Sequence, residues 1–95
     1  MQITPLYTVV EKLIETRKGI VVLEGTAGFP LGETNLYMLD MEGKVLWKAE
    51  KPTVNILFTK LKLNEDMSLS TFTNNGQFCE LDIETGKIIS SSSFK

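Results

Sequence analysis

The period of the apolar residues changes once, at Gly19, and that change constrains the fold more than any other feature of the chain. From Ile20 onward, apolar and polar residues alternate in short runs separated by turn residues, the mark of an antiparallel meander. Seven strands are expected, at about Ile20 to Glu24, Asn35 to Asp40, Lys44 to Ala49, Asn55 to Leu63, Met67 to Thr73, Gln77 to Asp82 and Lys87 to Phe94. Asn74-Asn75-Gly76 accepts positive φ at little cost and lies between two β-rich runs, which makes it the clearest hairpin signal. Pairing across Asn75-Gly76 would set Cys79 opposite Phe72. Lys51-Pro52 interrupts the meander with a loop, because proline cannot donate to a central ladder.

Before Gly19 the spacing is three and four. Leu6, Tyr7, Val9, Val10, Leu13 and Ile14 fall on one side of a helical wheel, and Thr8, Glu11, Lys12, Glu15 and Thr16 fill the other. Thr4 suits the cap, Pro5 the first turn, Arg17 and Lys18 the C-terminal dipole, and Gly19 a left-handed stop. The expected fold is therefore α+β: an amphipathic helix over Pro5 to Lys18, packed on a meandering antiparallel sheet of about seven strands that can curl into a partial barrel. Its 95 residues make one domain over positions 1–95, and 42% apolar content supports a thin globular core. Leu39 and Leu81 are expected to face inward. Trp47 shares a face with Val45 in this alternation and belongs to the same core.

The meander contains a repeat. Residues 35–47, Asn-Leu-Tyr-Met-Leu-Asp-Met-Glu-Gly-Lys-Val-Leu-Trp, align with residues 77–89, Gln-Phe-Cys-Glu-Leu-Asp-Ile-Glu-Thr-Gly-Lys-Ile-Ile, with Thr85 as a single insertion. The order of strand, Asp, turn, Gly-Lys, strand and Trp over Leu36 to Trp47 resembles the outer hairpin of blades in quinoprotein-type β-propellers. The second stretch has Ser90 where Trp47 would match. A whole propeller needs about four to eight blades, and strands for fewer than two are expected here. The same stretches also read as ordinary hairpin grammar, with Asp40 and Asp82 bonding to the turn backbone and Gly43 and Gly86 supplying positive φ.

Chemistry is bounded by what the chain lacks. There is no histidine, which removes histidine bases, histidine-ligated zinc, and Ser-His or Cys-His nucleophiles. Cys79 is the only cysteine; no internal disulfide can form, and it reads as a small core residue. The carboxylate pairs Asp40/Glu42, Asp82/Glu84 and Glu65/Asp66 all sit at expected turns, where water levels their pKa values. Asp40-Met41-Glu42-Gly43 offers too few oxygens for calcium. No catalytic residue, cofactor site or metal site is expected, and an enzyme working through carboxylates alone is the weakest reading.

Ten Lys plus Arg against 12 Asp plus Glu leaves a net charge of −2, a poor match to nucleic acid. Lys60 and Lys62 read as a solvated strand end that lies beside Ile56 and Phe58. The first five residues do not read as a secretory leader, no apolar run is long enough to cross a membrane, and with one cysteine the cytoplasm is the expected compartment. Ser90 to Phe94 reads as an edge strand whose small side chains allow a second subunit to approach.

The stretch Gly25 to Thr34 uses about ten residues where a hairpin needs two to five. It lacks the Gly-Lys-Ser/Thr ending of a phosphate loop. Phe29 and Leu31 within it are either apolar anchors for a partner or a lid over the open sheet end, and Glu24 and Glu33 would form an acidic rim. The leading function is thus a non-catalytic protein-protein interaction module binding through Phe29, Leu31, Glu24 and Glu33. In size and charge it resembles, in outline, immunity proteins that neutralise a toxin domain by inhibition. A small-ligand carrier with a pocket between helix and sheet is the alternative.

Overall fold

A computed structural model describes residues 3–93; Phe94, the expected end of the last strand, lies outside them, as do Met1 and Gln2 of the expected non-leader start. Eight strands form among the described residues: β1 (Val10–Glu15), β2 (Ile20–Glu24), β3 (Leu36–Leu39), β4 (Val45–Lys48), β5 (Phe58–Leu63), β6 (Leu69–Thr73), β7 (Gln77–Leu81) and β8 (Ile88–Ser93). They make two four-stranded antiparallel sheets, each in simple chain order, β1-β2-β3-β4 and β5-β6-β7-β8. The architecture is all-β, and the sheets do not close into a barrel. Neither the expected helix nor the partial barrel forms, and the helix-plus-sheet outline shared with immunity proteins goes with them.

The helix reading fails for a specific reason. Residues 10–15 pair with β2, and a bulge between Val10 and Lys12 mixes the two-residue period of a strand with an extra residue, which imitates helical spacing. Leu6, Val9 and Leu13, assigned to a buried helical face, are exposed. The amides of Leu6, Tyr7 and Thr8, which a helix would leave for a cap, instead donate to the carboxylate of Glu24 on β2. Thr16 to Gly19 is a hairpin turn in which the Thr16 hydroxyl accepts the amides of Lys18 and Gly19. Gly19 is needed there for close approach: a Cβ would overlap the carbonyl of Leu39.

Bulges also reassign faces elsewhere, since one extra residue turns every later side chain over. One between Met38 and Leu39 puts Trp47 in the core and Val45 on the opposite face. Another between Phe58 and Lys60 buries Phe58 while Lys60 and Lys62 face solvent, so they do not share its face. The β6–β7 hairpin pairs Phe72 with Phe78, and Cys79 faces Thr71 instead of Phe72.

The main core lies between the sheets. Val21, Leu23, Leu36, Met38, Trp47 and Ala49 of the first meet Phe58, Leu61, Leu69, Cys79 and Leu81 of the second. A second cluster, Ile20, Val22, Tyr37 and Leu39, occupies the outer face of the first sheet beneath Ile3 and Val10. Leu39 and Leu81 are both buried.

The two sheets follow the same pairing plan. Paired residues match across all four strands: Ile20 with Leu39 corresponds to Leu69 with Leu81, and Leu39 with Val45 corresponds to Leu81 with Ile88. Even the bulges recur, in the first strand pair and the third strand pair of each sheet. By this correspondence, the outer face of the first sheet is equivalent to the inner face of the second.

Candidate functional site

Residues 3–9, the strap, cross the outer face of the first sheet and are held by one buried carboxylate. Glu24 is 1% exposed. It accepts the amides of Leu6 at 2.6 Å, Tyr7 at 3.1 Å and Thr8 at 2.9 Å, together with the hydroxyls of Thr8 and Tyr37. Burial pushes its carboxyl up, but the Tyr37 hydroxyl and the three amides outweigh that and hold it below the usual value. The Tyr37 hydroxyl is pushed up in turn, by burial and by the same carboxylate. Glu24 is therefore an internal clamp and not part of an acidic rim.

The Gly25 to Thr34 loop closes the other end of that face. Phe29 is buried at 5% exposure and meets Tyr7 of the strap edge-on, with ring centroids 5.1 Å apart. Lys51 Nζ donates to the carbonyls of Leu31, Glu33 and Ile56 and ties the loop down; its pKa is lowered by burial. Leu31 is exposed, and Glu33 is half-buried, accepting the Tyr7 hydroxyl at 3.2 Å and lying 3.7 Å from Lys48. Of the four residues expected to bind a partner, the structure brings Glu24, Phe29 and Glu33 together through Tyr7 and leaves Leu31 at the surface.

At the opposite end, the strap and the β3–β4 turn enclose a groove of about 180 Å³ lined by Ile3, Thr4, Leu6, Leu39, Gly43 and Val45. Asp40 shapes this turn by accepting the amides of Glu42 at 2.8 Å and Lys44 at 2.9 Å, and the Lys44 bond leads the causes that hold its carboxyl low. Gly43 has φ +88°, and a Cβ there would meet nothing within 4 Å. Of its lining residues Val45 and Leu6 are 41% and 40% exposed, and their chain neighbours Leu46 and, in the turn, Met41 are 50% and 59% exposed. Apolar exposure concentrated in this way marks an interaction surface more often than a free one.

The equivalent turn of the second sheet is occupied. Asp82 accepts the amide of Glu84 at 2.8 Å, Gly86 has φ +73°, and the ring of Trp47 lies where a Cβ of Gly86 would stand. Trp47 Nε1 donates to the carbonyl of Ile83 at 2.9 Å. Glu50 adds two bonds: its amide donates to the carbonyl of Gly86, and its carboxylate accepts the amide of Ile88, both at 2.9 Å. Asn35 completes the junction: fully buried, it donates to the carbonyls of Glu24 and Phe58 and accepts the Phe58 amide, each at 2.8 Å. The junction roles of Trp47 and Asn35 are absent from the sequence reading, although the repeat flagged both positions.

Other hollows exist. A cavity of about 220 Å³ between the β1–β2 turn and the second sheet, lined by Arg17, Lys18, Met38, Met67, Ile83 and Glu84, is bridged by the Lys18–Glu84 ion pair, and two wider hollows of about 570 and 470 Å³ lie on the outer side of the second sheet around Lys62, Asn64, Ser70 and Phe78. Cys79 is buried, which pushes its thiol up and away from reactivity. Among the described residues no group of His, Cys, Asp or Glu has metal-site geometry, and no helix is long and apolar enough to cross a membrane. No protein-family model, curated protein or solved structure matches the chain.

Proposed function

We propose that this protein is a non-catalytic protein-protein interaction module whose contact surface is the turn end of the first sheet's outer face. The observation that carries this reading is the exposure of Leu6, Met41, Val45 and Leu46 at and beside the turn whose preformed groove Leu6, Gly43 and Val45 line. Phe29 supports the same face from within by holding the strap through Tyr7. Leu31 and Glu33 lie at its far end.

The resemblance to propeller blades supports the reading further. Each sheet is a four-stranded antiparallel meander, the blade unit, and the repeat extends from the hairpins to whole sheets with their bulges. We read the chain as a two-blade unit whose first blade keeps a receiving face. The buried thiol of Cys79 fits a reducing compartment such as the cytoplasm.

The test is capture from cells of the source organism by the wild-type chain and by a Val45→Asp, Leu46→Asp double variant whose circular dichroism and melting match wild type. Loss of the captured protein in the variant is the expected result. An identical captured set would remove this surface.

A further inference from the structure

Besides the extra Thr85 of the second, the two turns that define the repeat differ in what stands before their glycines, and that difference identifies what the first is built to receive. At Gly86 the space in front of the α-carbon holds the indole of Trp47, whereas at Gly43, which also has positive φ but ends an Asp-led turn one residue shorter, that space is open and Gly43 lines the groove with Leu6. We propose that the Gly43 groove is a seat for a tryptophan side chain of another protein, presented on an extended segment with a glutamate three residues after the tryptophan. This rests on the interaction-module reading above and names the chemistry of its partner.

The internal junction supplies the template. Three backbone groups of the second turn receive the first sheet: Ile83 O takes the indole N–H, Gly86 O takes the Glu50 amide, and Ile88 N–H donates to the Glu50 carboxylate. Their equivalents in the first turn are Met41 O, Gly43 O and Val45 N–H, by the pairing that aligns Leu39/Val45 with Leu81/Ile88. A Trp-x-x-Glu segment, the spacing of Trp47 to Glu50, carries one group for each of the three, with the indole placed at Gly43 beside Leu39 and Val45, which line the groove with it. The exposed side chains of Met41 and Leu46 would then be covered at the rim, as a desolvating ring around an aromatic anchor.

A second copy of this chain is a poor occupant. Its one tryptophan is already engaged within the chain at Gly86, and its second sheet carries Ser90 at the matching position. The partner must bring its own indole.

The probe is a synthetic peptide with the sequence of residues 44–51, Lys-Val-Leu-Trp-Lys-Ala-Glu-Lys, titrated into the ¹⁵N-labelled full chain and followed by amide chemical shifts. Saturable shifts are expected over residues 39–46, weakened at least about tenfold when the peptide tryptophan is replaced by alanine. They should vanish in a Gly43→Asn variant, because asparagine tolerates the left-handed turn while its side chain fills the seat. The spectrum of that variant away from the turn confirms that it is folded. Absence of shifts, shifts centred on Gly86, or shifts unchanged in Gly43→Asn would each overturn the proposal. So would concentration-dependent self-association of the chain abolished by Gly43→Asn, which would make the occupant a second copy. If the peptide fails while Val45→Asp, Leu46→Asp still abolishes capture from cells, the surface stands and only its ligand is wrong. If capture is also unaffected, the function reading falls with it.

Discussion

The two sheets share a plan but not an exterior. On the first sheet the face turned to its neighbour carries Val21, Leu23, Leu36, Met38, Trp47 and Ala49, all buried. The equivalent positions of the second sheet, facing outward, carry Ser70, Phe72, Phe78, Glu80, Ser90 and Ser92. Four of six have become polar, with Lys60 and Lys62 beside them in solvent. A mostly polar outer surface of this kind is stable against water without a further layer. The first sheet ends differently: its outer face keeps Ile20, Val22, Tyr37 and Leu39 and is covered by a strap that Glu24 clamps. One face is largely polar apart from Phe72 and Phe78, and the other is covered by a segment that leaves a groove at its turn end.

If the junction between the sheets is what holds the stack together, its residues should outweigh their counterparts. Trp47→Ala is expected to lower stability by about 3–5 kcal/mol, measured by urea unfolding followed by circular dichroism. A loss below about 1 kcal/mol would mean that the sheets do not depend on this contact. Asn35→Ala, which strands the Phe58 amide and two carbonyls, is expected to cost about 2–4 kcal/mol, since each buried orphan costs about 1–3. Its counterpart Gln77, whose Oε1 has no hydrogen-bond partner, should tolerate alanine within about 0.5 kcal/mol. Equal losses at the two positions would mean that the Asn35 bonds add nothing to the junction.

The strap adds a pH dependence. Glu24 is held below its ordinary value of 4.5, so the folded protein takes up this proton less readily than the unfolded chain. Its contribution is full above that value and is lost as pH falls through the depressed folded pKa. Glu24→Gln should therefore cost about 1–3 kcal/mol at neutral pH and flatten the stability profile on the acid side, with residues 3–9 gaining hydrogen-exchange rate first. The smallest expected effect is at a matched pair of small residues. Ala49→Ser buries a hydroxyl and should cost about 1–2 kcal/mol, whereas Ser92→Ala should stay within about 0.5.

Local chemistry was legible in the sequence. The Asp40 and Asp82 turns, with Gly43 and Gly86 at positive φ, formed as read, because a side chain bonding two residues ahead needs no distant partner. The seven strands after Gly19 likewise formed, for their alternation lies within each segment. What failed was set at long range. The strap amides find their acceptor 16 to 18 residues away, so residues 5–18 looked like a self-capped helix. Trp47 lies in the core as read, but bulges hid the true face of Val45 and set Lys60 and Lys62 apart from Phe58, since a single unpaired residue inverts an alternation without changing composition. The repeat was visible only in its β3–β4 and β7–β8 hairpins. Ile20-Val21-Val22-Leu23 and Leu69-Ser70-Thr71-Phe72 diverge in their outward residues because one sheet is covered and the other is not. Phe29 and Leu31 could be read either as anchors or as a lid, and burial divides them, one inside and one out.

The central claim is that Trp47 on Gly86 joins the sheets while Gly43 is the same seat facing outward. A double-mutant cycle tests it most directly, combining Gly86→Ala and, separately, Gly43→Ala with Trp47→Ala, with stability measured by urea unfolding. Both glycines lose about 1–2 kcal/mol from a left-handed alanine, and this loss cancels in the cycle. The account predicts a coupling of at least about 1 kcal/mol between positions 86 and 47, because alanine at 86 displaces the indole, and a coupling within about 0.5 kcal/mol of zero between positions 43 and 47. Equal couplings, or none at Gly86, would contradict it.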